Sequence, residues 1–290
     1  MTILQLCLNA LVLGAAYSLV ALGFVLVLNA VGAVNFSQGD LVLVGAYAGI
    51  VAASFVDLPG LLLLPFVIVV AGLVGVALSG AAFFPLRNKP PVTVFISTIA
   101  CGVVIQNTLN VVFGPEPRSG PALLGNVQLD MGGLQVSSQS LAIVAVAIIL
   151  VLGQHLLLNA TQFGRRLRAT AQDREMARGI GIPVTAMIAA SFALSAILSA
   201  AGGLLLSNQF FVSPNEGGHL MLKAYIAVTI GGWGSTLGAV IGALIVAFFE
   251  VLISSYVSYT AASIALYMCV LILLVVRPQG LVKETVQRRA

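Results

Sequence analysis

The sequence predicts an all-α polytopic membrane protein with about eight transmembrane helices and one re-entrant half-helix. Hydrophobic residues make up 60% of the 290-residue chain and charged ones 8%, against about 25% charged in a soluble domain. The few charges are collected into short gaps between long apolar runs, and the runs 3–31, 61–84, 92–113, 141–158 and 184–206 contain no Lys, Arg, Asp or Glu. Each approaches or exceeds the roughly 20 helical residues that cross a bilayer. A spanning strand would need only about 10 residues and would alternate polar with apolar, a pattern these runs lack.

Taken in order, run 3–31 is expected to be helix one. No basic residue precedes it and it is longer than a signal-peptide core, so it is not read as a cleaved leader. A polar break follows at Asn35, Ser37, Gln38, Gly39 and Asp40, leading into the apolar run 41–56, where Gly45 and Gly49 stand four apart. Arg87 and Lys89 close run 61–84. Arg165, Arg166, Arg168, Arg174 and Arg178 occupy the gap after run 141–158, and Arg277, Lys283, Arg288 and Arg289 the tail; only Arg118 and Lys223 lie elsewhere. Basic short loops stay on the cytoplasmic side. The three basic segments are therefore placed inside, and gaps 114–139 and 207–222, with Glu116, Asp130 and Glu216, outside. Helix parity then favours an outside N-terminus without fixing it. The net charge of +4 is thus a topology signal and not a nucleic-acid footprint.

Simple counting fails after residue 206. Two helices on either side of 254–259 would leave the tail outside, so region 223–276 must cross an odd number of times. Gly231, Gly232, Trp233, Gly234 and Ser235 supply a break at which the chain can enter the bilayer again. Irregular backbone at that depth is tolerated against protein or a water-filled cavity, and Gly234, Gly238 and Gly242 form a smooth helical face. The break is therefore read either as a pathway element or as helix packing alone. Its likeness to the first break suggests an internal duplication, although chance similarity in a Gly- and Ala-rich chain gives the same pattern.

Paired catalytic groups, a His-Glu-x-x-His zinc helix, a Gly-x-Ser-x-Gly elbow and a phosphate-binding Gly-Lys-Ser/Thr loop are all missing from the sequence, so no catalytic residue, metal or cofactor is assigned. Cys7, Cys101 and Cys269 lie in apolar runs and read as small hydrophobes. Asp40 is read as a helix N-cap or a pathway group. Glu250, near a helix end, is expected to reach headgroup water. Segment 159–183 is a basic helical loop, placed either on anionic headgroups or against a soluble partner.

Four ordered motifs resemble the integral-membrane permeases of ABC importers for branched-chain amino acids. They are Val34-Asn-Phe-Ser-Gln-Gly-Asp40, the run from Arg168 to Ile182, Gly231-Gly-Trp-Gly-Ser-Thr-Leu-Gly238 and Arg277-Pro-Gln-Gly-Leu281. One departure is Gln38, where His is common. The resemblance implies a single transmembrane permease domain over 1–290, with a cytoplasmic coupling loop at 159–183 and a cytoplasmic tail at 277–290, in a bacterial inner (plasma) membrane. It also implies a second permease subunit, two cytoplasmic ATPase subunits and a periplasmic solute-binding protein as partners. Coupling to the ATPases would fall to Arg168, Asp173, Glu175, Arg178 and Gly179. The translocation pathway would use Asn35, Ser37, Gln38, Gly39, Asp40, Gly231, Gly232, Gly234 and Ser235. A urea or amide permease of the same family and a secondary transporter driven by an ion gradient are the alternatives.

Overall fold

A computed structural model describes residues 3–56, 58–124, 128–131, 134–276 and 280–282. Among the described residues, eight helices are long and apolar enough to cross a membrane. In chain order the helices are α1 (Ile3–Val31), α2 (Gln38–Phe55), α3 (Gly60–Leu78), α4 (Pro91–Phe113), α5 (Ser138–Ala160), α6 (Gln162–Gln172), α7 (Arg174–Gly179), α8 (Val184–Ser207), α9 (Gly217–Gly231), α10 (Thr236–Tyr256) and α11 (Tyr259–Val276). α3 runs on through a π turn and a 3-10 turn to Leu86. A short antiparallel hairpin, β1 (Gln128–Met131) and β2 (Leu134–Ser137), sits in the link between α4 and α5.

Apolar helices without a polar face must be buried or face lipid, and both outcomes occur. α1 and α8 form the centre, α8 packing on α1, α2 and α3, and α1 also on α10. α3, α4, α5 and α11 turn large side chains outward, among them Leu73, Val104, Ile149 and Val275. Such a surface is stable in lipid or against another apolar protein face, not in water. Close approach of the inner helices depends on glycine, because a Cβ at Gly45 would fall on the backbone of Ala200, one at Gly203 on Val42, and one at Gly242 on Ala227.

The basic segments gather at one end of the bundle. Arg174 donates to the Val31 carbonyl at 2.7 Å, and Asn29 to the Gly234 carbonyl at 2.8 Å. Arg87, Arg174 and Arg178 line one cleft of about 240 Å³. This basic end holds the C-termini of α1 and α9. Arg277, Lys283, Arg288 and Arg289 of the expected tail lie outside the described residues. Leu281 and Val282, just beyond, donate backbone N–H groups to the carbonyls of Ile230 and Gly231 at 2.8 and 2.9 Å. At the opposite end, Arg118 and Val212 exchange both backbone hydrogen bonds, at 3.0 and 2.8 Å, tying the link after α4 to the link before α9.

The odd number of passes demanded by region 223–276 is met by α9, α10 and α11. No re-entrant half-helix forms at 231–235, which includes the turn between α9 and α10; the short element lies elsewhere. It is α9 itself, whose 15 residues span about 22 Å, short of the roughly 30 Å hydrocarbon core. A second dip follows α1, where 32–37 climbs back into the bundle before α2 begins.

Candidate functional site

α2 and α9 both start inside the bundle, and their N-termini meet. A Cβ at Gly39 would strike the Gly217 carbonyl, and one at Gly217 would strike the Asp40 carboxylate. A Cβ at Gly102 of α4 would strike the same carboxylate. At a rise of about 1.5 Å per residue, Gly102 stands about 17 Å along α4 from its basic-end start at Pro91, so this junction is near the membrane centre.

The residues of the first break divide into two groups there. Asn35, Ser37 and Gln38 are locked to one another and to α8. Asn35 Oδ1 accepts from the Ser37 backbone N–H at 3.2 Å and from its hydroxyl at 2.7 Å. Gln38 Oε1 accepts from Ser195 Oγ at 2.9 Å and from Asn35 Nδ2 at 3.3 Å, while Gln38 Nε2 donates to Ser199 Oγ. A fully buried amide is tolerated because each of its groups is paired, so Gln38 anchors the break to the central helix. Ser37 holds the N-cap position but does not cap.

Asp40 differs from these. It is the third residue of α2 and not its cap, and it is 8% exposed. No cation or side-chain donor meets it among the described residues. An acid so placed faces an aqueous cavity or awaits a partner.

From this point a polar stripe, missed in the sequence reading, runs outward along α4. Thr98, Gly102, Gln106 and Asn110 recur at four-residue spacing on one face. Thr98 Oγ1 accepts the Phe36 N–H at 3.1 Å, and Gln106 and Asn110 both donate to Asn215 Oδ1 at 3.1 Å. Period-four polar residues within run 92–113 were the available signal.

A second buried group was unassigned in the sequence and corrects the reading of Glu250. Lys223 Nζ of α9 lies 2.6 Å from Glu250 Oε1 of α10. The same ammonium donates to the hydroxyls of Tyr17 at 3.0 Å and Tyr259 at 3.2 Å, and Tyr17 donates to Glu250 Oε2 at 3.1 Å. Glu250 is 5% exposed. It therefore serves the bundle interior and not headgroup water, and every proton of the ammonium has an acceptor.

Residues 231–235 form the α9–α10 turn at the basic end. Gly232 (φ +115°) and Gly234 (φ +79°) take backbone conformations that side chains disfavour. Gly231 and Gly238 touch backbone to backbone, and Ser235 Oγ caps α10 by accepting from the Gly238 N–H at 3.0 Å.

The coupling segment folds as α6 and α7. Asp173 caps α7, accepting from the N–H groups of Glu175 and Met176 at 2.8 and 3.0 Å. Arg168 turns back to the end of α5, donating to the Leu158 carbonyl and to Asn159 Oδ1. Arg174 stacks on Phe83 with 5.6 Å to the ring centroid. Burial, with the nearby Arg178 charge, lowers its pKa from the usual arginine value. Glu175, Arg178 and Gly179 remain exposed, beside Met176 and Ile180, exposed 70% and 74%.

A bundle with broken polar helices meeting near its centre, and a basic helical pair on one end, is the architecture of a membrane transport subunit. The chain belongs to the family described as the branched-chain amino acid transport system permease component, which it matches over residues 6–276. It is 29% identical to the high-affinity branched-chain amino acid transport system permease protein LivH of Escherichia coli (strain K12), covering 96% of this chain and 94% of that one. It is 28% identical to the corresponding protein BraD of Pseudomonas aeruginosa, over 96% and 95% of the two chains. The ribose import permease protein RbsC of Haemophilus influenzae is 27% identical over 91% and 83%.

Proposed function

We propose that this chain is one permease of a two-permease, ATP-driven importer that moves branched-chain or related neutral amino acids across a bacterial inner membrane. A periplasmic binding protein delivers the solute, and two cytoplasmic ATPases dock on α6 and α7. The observation that carries the reading is Asp40, buried and unpaired where the N-termini of α2 and α9 meet. Helix N-termini carry partial positive charge and favour a carboxylate, as in transporters whose broken helices meet at the bilayer centre. A carboxylate beside them favours an ammonium. The pair suits a zwitterion, and Gln106, Asn110 and Asn215 supply transient partners on the way in. The neutral sugar named for the ribose relative has no ammonium for Asp40 to bind. With Glu250 committed to Lys223, Asp40 is also the one unpaired acid in the spanning helices among the described residues, a poor endowment for an ion-driven carrier. In this reading 231–235 is the turn that closes α9 onto α10 at the cytoplasmic face.

The test is uptake by the whole importer in proteoliposomes. Asp40→Asn is expected to assemble normally and to lower amino-acid uptake about tenfold to a hundredfold, the loss of one charge-assisted hydrogen bond. Uptake by the unaltered importer should require ATP and persist when the proton gradient is collapsed. Undiminished uptake by Asp40→Asn would remove the zwitterion site, and ion-driven uptake by this chain alone would replace the importer reading with a secondary transporter.

Docking has its own measurement. Glu175→Arg, on the exposed face of α7, should lower solute-stimulated ATP hydrolysis about tenfold through one lost charge-assisted contact, with membrane insertion unchanged. Normal coupled turnover in this variant would take the docking surface away from α7.

A further inference from the structure

A groove of about 490 Å³ opens near the basic end, between α1, α5, α6 and α10. Its walls are apolar, with Leu22, Val240 and Ile241 among them, and its rim carries Asn159 and Arg168. Gln154 lines it as well. That side chain is 7% exposed, and neither its Nε2 nor its Oε1 has a hydrogen-bond partner. A buried amide left unpaired on both sides is costly, and native proteins rarely retain one without an occupant to satisfy it. On the outer lip, Leu152 and Leu237 are exposed 55% and 64%; the groove therefore opens onto the outer surface of the bundle and not into its interior.

We propose that this groove binds one anionic phospholipid of the leaflet at the basic end. The occupant must carry an apolar tail for the walls, a negative head for Arg168, and between them a hydrogen-bonding group toward which the Gln154 amide, closed off from the groove, turns. A phospholipid has these as acyl chain, phosphate and, between them, glycerol ester. Arg168 directs one nitrogen to Leu158 and Asn159, leaving guanidinium N–H groups of its five for a phosphate, the geometry that arginine recognises well. Exposed Arg165 and Arg166 on the same helix add to the attraction of an anionic surface. The lipid would hold α6 against α5 and α10, and so set where the docking helices stand. The inference rests on membrane embedding and this groove, not on the identity of the transported solute.

The importer complex, extracted in mild detergent, is titrated with phosphatidylglycerol or phosphatidylcholine and its bound lipids are counted by native mass spectrometry. One phosphatidylglycerol per copy of this chain should be retained about tenfold more strongly than phosphatidylcholine, as one charge-assisted contact predicts. Gln154→Leu should weaken retention about fivefold, and Val240→Trp, which fills the groove, should abolish it. Should Val240→Trp fail to purify as a monodisperse complex, Leu237→Trp at the exposed lip takes its place. Equal retention of the two lipids, retention unchanged by filling the groove, or full displacement of the lipid by millimolar inorganic phosphate would each overturn the proposal. So would a disulfide formed between permease subunits through Leu152→Cys and Leu237→Cys, since it would put protein where the lipid is placed.

Discussion

Replacing Lys223 by Met, or Glu250 by Gln, should destabilise the purified permease by about 3–5 kcal/mol, because each change strands the other member of a buried ion pair. The loss is read as a fall in the midpoint of thermal aggregation. The geometry makes the expectation severe. The Lys223 ammonium has three acceptors and Glu250 has a donor on each oxygen, so a single neutralisation leaves unsatisfied polar groups among packed helices. Tyr17→Phe removes one bridging hydroxyl and should cost less, about 1–3 kcal/mol. The combined Lys223→Met and Glu250→Leu variant should recover most of the loss, as well-packed apolar replacements of buried pairs do. A combined variant no better than the two single ones would mean that the pair holds the α9–α10 arrangement in a way packing cannot replace.

Gly45→Leu should prevent assembly of the bundle, seen as loss of monodisperse protein after extraction. A Cβ at this position falls onto the main chain of Ala200. Overpacking a core commonly costs about 1–3 kcal/mol when side chains can yield, and a backbone in the middle of α8 yields less. Gly153 in α5 is the control. Nothing stands within 4 Å of its added Cβ, so Gly153→Ala should be tolerated and gain helix propensity worth up to about 1 kcal/mol. Equal tolerance at the two positions would show that α2 and α8 do not pack as described.

The membrane class and most helix ends were legible because length and hydropathy alone decide them: run 3–31 ends with α1 at Val31, and run 92–113 is α4 apart from Pro91. Charge placement likewise foretold that Arg87 shares one end of the bundle with Arg174 and Arg178. Depth was not legible. The charge pattern places region 207–222 outside, yet Gly217 lies against Asp40, because a helix of 15 residues can start within the bundle when polar groups from α2 and α4 receive it. Nor could the sequence pair Lys223 with Glu250, which requires knowing that α9 and α10 fold back on each other. Of the first break, the polar character was read correctly but its division was hidden. Gln38 and Asp40 are two positions apart, and only the placement of Ser195 and Ser199 decides that one is an anchor and the other is free. Cys7, read as a small buried hydrophobe, is exposed on the outer face of α1.

The turn at 231–235 bears on how the chain enters the bilayer. α9 is too short to partition stably by itself, and its Lys223 adds a penalty of about 2.5–3.5 kcal/mol on insertion scales. α10 carries the compensating Glu250. A connection only a few residues long, with two glycines bent as other residues resist, delivers both helices to the translocon within one short stretch of synthesis. The positive and negative side chains then leave water as a neutral unit. Lengthening this turn would separate the two arrivals, and the penalty of α9 would have to be met before its counter-charge had emerged.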